Sequence, residues 1–253
     1  MQIGLVVYAI GIAVPAWGFY SRADWAMQLW PLPYTSSLGF KFVGAIIGAG
    51  AAAILWAAWW REFGALVGIG LNAATITLPI GIWALASGNP TLRGFAVVVL
   101  LIALGGLATV WFYRRYPIRD TLPTPIVVRV SFAVFIVVLG IAGGMMVAGS
   151  ERVLPWQPPK ESVVIYGCAF LGACVYFGYA LLRPVWGNAV GQLLAFLVYD
   201  LMLLVPFIRF FDEVKPEMRL NHIVYFGVVS CSAVLAIIYC LLLPRTRLFD
   251  RRR

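Results

Sequence analysis

Eight runs of roughly 20 apolar residues follow one another along this chain, at about 3–20, 38–60, 65–86, 94–113, 126–148, 163–182, 189–211 and 222–243. Each has the length a helix needs to cross a hydrocarbon core of about 30 Å. In lipid, every backbone N–H and C=O of such a run must find its partner inside the segment, which makes it a transmembrane α-helix. Composition agrees, with 62% hydrophobic and 11% charged residues, against about 25% charged in soluble chains. The sequence therefore predicts an all-α, polytopic integral membrane helical bundle. The connections are short, so one membrane domain is expected, with no separate soluble one. The first run lacks a positively charged leader, despite a small-residue Val14-Pro15-Ala16 site, and reads as a span rather than a signal peptide.

The net charge of +9 does not indicate nucleic acid, because the basic residues cluster at span ends. On the side of the termini lie eleven basic residues (Arg61, Arg114, Arg115, Arg119, Arg129, Arg183, Arg245, Arg247 and Arg251 to Arg253) and three acidic ones (Glu62, Asp120 and Asp250). The other side carries eight basic and six acidic residues. By the positive-inside rule both termini are cytoplasmic. The short loops suggest a bacterial cytoplasmic (inner) membrane.

The chain reads as an internal repeat. Displaced by 126 residues without gaps, Trp30 falls on Trp156, Pro33 on Pro159, Ser36 on Ser162, Trp60 on Trp186, Pro90 on Pro216 and Arg93 on Arg219. Several of these are rare residue types held in one register. Residues 1–122 and 123–253 would then be two four-helix repeats. With an even number of spans each, they run parallel, related by an axis along the membrane normal.

The first repeat holds QLWPLPYTSSLGF and the second LPWQPPKESVVIY, each at the turn between an odd span and an even one. Ser21 to Trp30 reads as a short interfacial helix with Ser21 as its N-cap and Asp24 three residues on. Trp25, Trp30, Pro31 and Pro33, with Trp156, Pro158 and Pro159, form the expected interfacial elbows. Tryptophan favours the headgroup level, and proline stops one segment before the next.

Chemistry is sparse. Asp200, in AFLVYDLMLLVPF, is the acidic residue in mid-span, where an ionised carboxylate is expensive and faces a cavity or a partner. Gln192, Asn72, Thr75 and Lys41 complete the candidate substrate- or proton-binding set. Asn72 and Thr75 share a face with Gly64 and Gly68, which also suits helix packing. Lys41 also suits snorkelling to the headgroups, as does Arg129. Asp212, Glu213 and Glu217 sit among basic residues in RFFDEVKPEMRLNH, so they read as a solvated hairpin and not a metal site. Cys168, Cys174, Cys231 and Cys240 all lie within spans and read as buried, inert thiols.

A single histidine, His222, argues against a bis-histidine haem, and HExxH, GxSxG and Walker-type motifs are missing from the sequence. No catalytic residue, metal or cofactor is expected. Glycine pairs (Gly44/Gly48, Gly64/Gly68, Gly140/Gly144, Gly187/Gly191) and tryptophans at span ends favour a non-catalytic accessory or scaffold subunit of a larger membrane complex. Its partners would be membrane lipids and other membrane subunits or further copies of itself, and not nucleic acid. The alternative is a secondary transporter or channel for a small solute or proton, using Asp200. An outer-face lipid-modifying enzyme ranks third.

Overall fold

In the computed structural model, residues 1–32, 36–246 and 248 are described. The elements are α1 (Gln2–Ser21), α2 (Asp24–Leu29), α3 (Ser37–Trp59), α4 (Leu66–Ala86), α5 (Pro90–Tyr113), α6 (Ile126–Val147), α7 (Lys160–Leu182), α8 (Trp186–Phe210) and α9 (Arg219–Ile237). Among the described residues eight helices are long and apolar enough to cross a membrane, and no strand forms beyond an isolated bridge between Pro123 and Val185. This is an all-α polytopic bundle, as the apolar runs predict.

Local chemistry sets the helix ends. Ser36 caps α3, its hydroxyl accepting from the Gly39 N–H at 3.0 Å. Asn89 caps α5 in the same way through Thr91 N–H, with Pro90 at the first helical position. The expected N-cap role of Ser21 is not seen. The first span continues through Ser21, whose hydroxyl donates back to the Trp17 carbonyl at 2.7 Å. Arg22 then closes α1 in the left-handed region, with φ 60°. The short helix starts at Asp24 instead, with Ala23 before it and no side-chain cap.

The helices form two layers. In α3, α4, α7 and α8, 56, 50, 61 and 39% of the span is buried, against 22, 22, 17 and 28% in α1, α5, α6 and α9. The first four are therefore the inner ring, and the others face lipid. Each outer helix packs on a sequence neighbour, α1 on α3, α5 on α4, α6 on α7 and α9 on α8, while α3 pairs with α8 and α4 with α7. Two lobes result, one of α1, α3, α8 and α9, the other of α4, α5, α6 and α7.

Glycine permits the closest helix contacts. A Cβ on Gly70 of α4 would lie 2.6 Å from the Gly106 carbonyl of α5, and one on Gly167 of α7 would lie 2.9 Å from the Gly143 carbonyl of α6. Here the structure corrects the sequence expectation for α6. Gly140 makes only ordinary contact and Gly144 none, so Gly143 is the packing residue. The motif spacing was present, but tertiary packing selected a different face of the helix.

All four hairpins close at the end away from the termini, termed here the hairpin end; the other is the terminal end. At the terminal end Glu62, 5% exposed, accepts from the backbone N–H groups of Arg119 and Asp120, each at 2.8 Å. The same loop is tied to the start of α8, where Trp186 N–H donates to Leu122 and Gly187 N–H to Asp120. At the hairpin end Trp156 packs against Phe42, Tyr166, Phe207 and Tyr225. One apolar cluster there includes Phe40, Phe42, Trp156, Tyr166 and Phe207. A second, near the terminal end, includes Trp56, Leu66, Phe132, Phe177 and Trp186.

Candidate functional site

Between these clusters, at mid-bundle, lies a cavity of about 300 Å³. The α3/α8 pair supplies one wall, through Ile46, Ala49, Gly50 and Ala53 with Ala195, Phe196, Tyr199 and Asp200. Asn72 and Ile76 of α4 and Phe170, Ala173 and Tyr176 of α7 supply the other. The small residues explain the space: Ala49, Gly50 and Ala53 fall on one face of α3 and leave room where larger side chains would close the gap.

Asp200 is 1% exposed, and its Oδ2 has no hydrogen-bond partner. Ser232 of α9 lines the same cavity. Beside it the phenol groups of Tyr199 and Tyr225 are hydrogen-bonded to each other across α8 and α9. Asn72 also lines the cavity, and its Oδ1 is buried without a partner. A buried polar group left unpaired costs roughly 1–3 kcal/mol, so two such oxygens on one cavity mark a place where a donor belongs.

The other candidates lie elsewhere. Gln192 is fully buried and donates to the Tyr176 carbonyl at 2.8 Å, holding α8 to α7 on the terminal side of Asp200. Thr75 is half-buried on α4 and does not line the cavity. Lys41 points to α1, where its Nζ donates to the Tyr20 carbonyl at 3.2 Å and sits 4.8 Å from the ring centre. The structure thus places Asp200 and Asn72 on the lining of one cavity and leaves Gln192, Thr75 and Lys41 off it.

At the elbows, Trp25 is 48% exposed with its ring laid on Gly18. Trp30 is partly buried among Phe19, Phe40 and Phe95. Pro31 is half-buried, Pro158 buried and Pro159 the N-cap of α7, while Pro33 lies outside the described residues. Trp156, 4% exposed, faces the core. Asp212, Glu213 and Glu217 are exposed, and no cluster able to hold a metal occurs among the described residues. His222, taken as part of a solvated hairpin, is instead buried against Phe207, Phe210 and Phe211. Of the four cysteines, Cys168 and Cys240 are buried, Cys174 is half-buried and Cys231 exposed.

Tyr199, Tyr225 and Ser232 belong to the site and were not among the sequence candidates. The available signal was their period: Tyr225, Val228, Val229 and Ser232 line one face of α9 at helical spacing. No family model matches this chain, and neither a curated protein nor a solved structure is found similar to it. The fold and site define a multi-pass helical membrane protein built around an acidic central cavity.

Proposed function

We propose that the protein is a secondary carrier in which Asp200 alternately holds a proton and a cationic solute. The observation that carries this reading is a buried carboxyl in a cavity between two lobes, with an apolar cluster toward each end of the bundle. Carriers of this kind place substrate near the bilayer midplane, at the interface of two repeats, and rock one half against the other. The helix pairing supports the two parallel repeats, 1–122 and 123–253. Moving every span four places along the chain maps α1/α3 onto α6/α7, α4/α5 onto α8/α9, and α3/α8 onto α7/α4, so the pairing is preserved. That exchange swaps one lobe for the other and leaves the cavity between them. With the charge bias of the connections, the membrane is a bacterial inner membrane and both termini are cytoplasmic, which a C-terminal reporter fusion tests.

The functional test is solute-driven proton movement in proteoliposomes loaded with a pH dye, because exchanging one proton for one monovalent cation at a single carboxyl moves no net charge. A methylammonium gradient drives counter-movement of protons with the wild type and, beyond the protein-free rate, none with Asp200→Asn at equal insertion. An accessory subunit predicts the opposite: no Asp200-dependent exchange, and stoichiometric partners on a native gel from the source membrane.

A further inference from the structure

The cavity is not confined to the inner ring. It extends outward between α6 and α9, where Val138, Leu139 and Ala142 face Leu220, Val224 and Val228. Both helices line it without packing closely on each other. Val138, Leu220 and Val224 are 42, 70 and 56% exposed. In a chain whose outer helices face hydrocarbon, this is an apolar slot reaching from lipid to Asp200.

The inner end asks for a particular chemistry. Asp200 Oδ2 and Asn72 Oδ1 are both acceptors without donors. The rings of Phe135, Phe170, Tyr176, Phe196, Tyr199 and Tyr225 surround the space, and aromatic faces attract cations. Among the described residues no Lys, Arg or His lines it, so an anionic head finds no counter-charge. A neutral head can pair with Asp200 only in its protonated form and leaves the ionised carboxylate without a counter-charge. The outer end, by contrast, is mostly aliphatic, with Asn221 at its rim, its amide donating to the Arg152 carbonyl, and suits a hydrocarbon tail.

We infer that the cavity takes an amphipathic amine, an ammonium head on an apolar body, which reaches Asp200 sideways from the bilayer between α6 and α9. The head donates to Asp200 and Asn72 while the body lies along the slot. This rests on the reading of the Asp200 cavity as a solute site, and it adds the solute class and the route.

The test uses the full-length protein in nanodiscs with n-octylamine, methylammonium, octanol and octanoate as probes, read by thermal shift and by stopped-flow quenching of intrinsic fluorescence. Octylamine raises the melting temperature of the wild type, and the other three do not. Asp200→Asn weakens octylamine binding by at least roughly thirtyfold, the lower end of what removing one partner of a buried charge pair costs. If Asp200→Asn does not fold, Asn72→Leu, which removes the second acceptor, must reduce the octylamine shift. Val224→Trp narrows the slot and slows association while the equilibrium shift persists. The control is Val134→Trp on the lipid face of α6, 53% exposed and outside the cavity lining, which changes neither.

Octanol or octanoate shifting the protein as strongly as octylamine overturns the inference, as does an unchanged association rate in Val224→Trp. Methylammonium giving Asp200-dependent proton exchange while octylamine fails to bind leaves the carrier reading standing and removes the solute class and route. Octylamine binding through Asp200 with no proton exchange does the reverse.

Discussion

Replacing Glu62 tests how the terminal end is held shut. Its two carboxylate oxygens each accept one backbone N–H, from Arg119 and Asp120, at 2.8 Å. These are charge-assisted hydrogen bonds, worth roughly 1.5–3 kcal/mol apiece, so the pair contributes about 3–6 kcal/mol at most. The two amides lie in a partly buried loop, where water can replace part of what is lost. The expected cost of Glu62→Ala is therefore roughly 2–4 kcal/mol. Glu62→Gln keeps one carbonyl acceptor and turns an NH₂ toward the second amide, so it should lose about half as much. The assay is reversible unfolding of the purified protein in mixed micelles of increasing SDS fraction, with amide hydrogen exchange as the local readout. Stability should fall in the order wild type, Gln, Ala, and the gain in exchange should centre on residues 119 and 120. Both variants within about 0.5 kcal/mol of wild type, the range of an ordinary surface change, would refute the reasoning. So would exchange that rises evenly along the chain.

Three further outcomes are expected. Gly172→Ala places a methyl 2.3 Å from Ile76 Cγ1 and 2.8 Å from Asn72 Oδ1. It should cost roughly 1–3 kcal/mol by overpacking and weaken cavity ligands as well, measured by unfolding and by thermal shift. Trp156→Ala should cost about 3–5 kcal/mol, whereas Trp25→Ala, half-exposed, should cost distinctly less in the same titration. Arg22 and Arg61 hold φ of 60° and 58°, a region that costs an L-residue roughly 1–2 kcal/mol. Arg22→Gly should hold or raise the melting temperature, while Arg22→Val lowers it.

The spans were legible because the bilayer imposes length and leaves one way to pair the backbone. The observed helix ends stay close to the apolar runs, although the caps Ser36 and Asn89 were not singled out in the sequence. The start of α2 was not legible, since Ser21 looks like a cap in sequence but the first span still had carbonyls for its hydroxyl to join. Asp200 stood out by its charge alone. Asn72 stood out by its polarity within a span, but Tyr199, Tyr225 and Ser232 did not, because only packing decides which polar faces meet at the cavity. Lys41 shows the converse, since the Tyr20 carbonyl and ring occupy its ammonium; Gln192 lies off the cavity, its amide donating to the Tyr176 carbonyl while its Oε1 is buried without a partner. His222 read as solvated from its charged neighbours, yet Phe207 is 0% exposed and the imidazole packs on it.

The pairing of each outer helix with its sequence neighbour also bears on how the chain is made. Each of the four hairpins joins residues close in sequence, and its two arms can associate as soon as both are in the membrane. The contacts of α3 with α8 and of α4 with α7 come from distant parts of the chain and cannot form until α7 and α8 have emerged. The pairing thus allows synthesis to deliver the protein as four preassembled hairpins, and the Asp200 cavity is complete only when the last two have docked. Until then Asp200, on the seventh span, depends on Tyr225 and Ser232 of its own hairpin for company in the hydrocarbon.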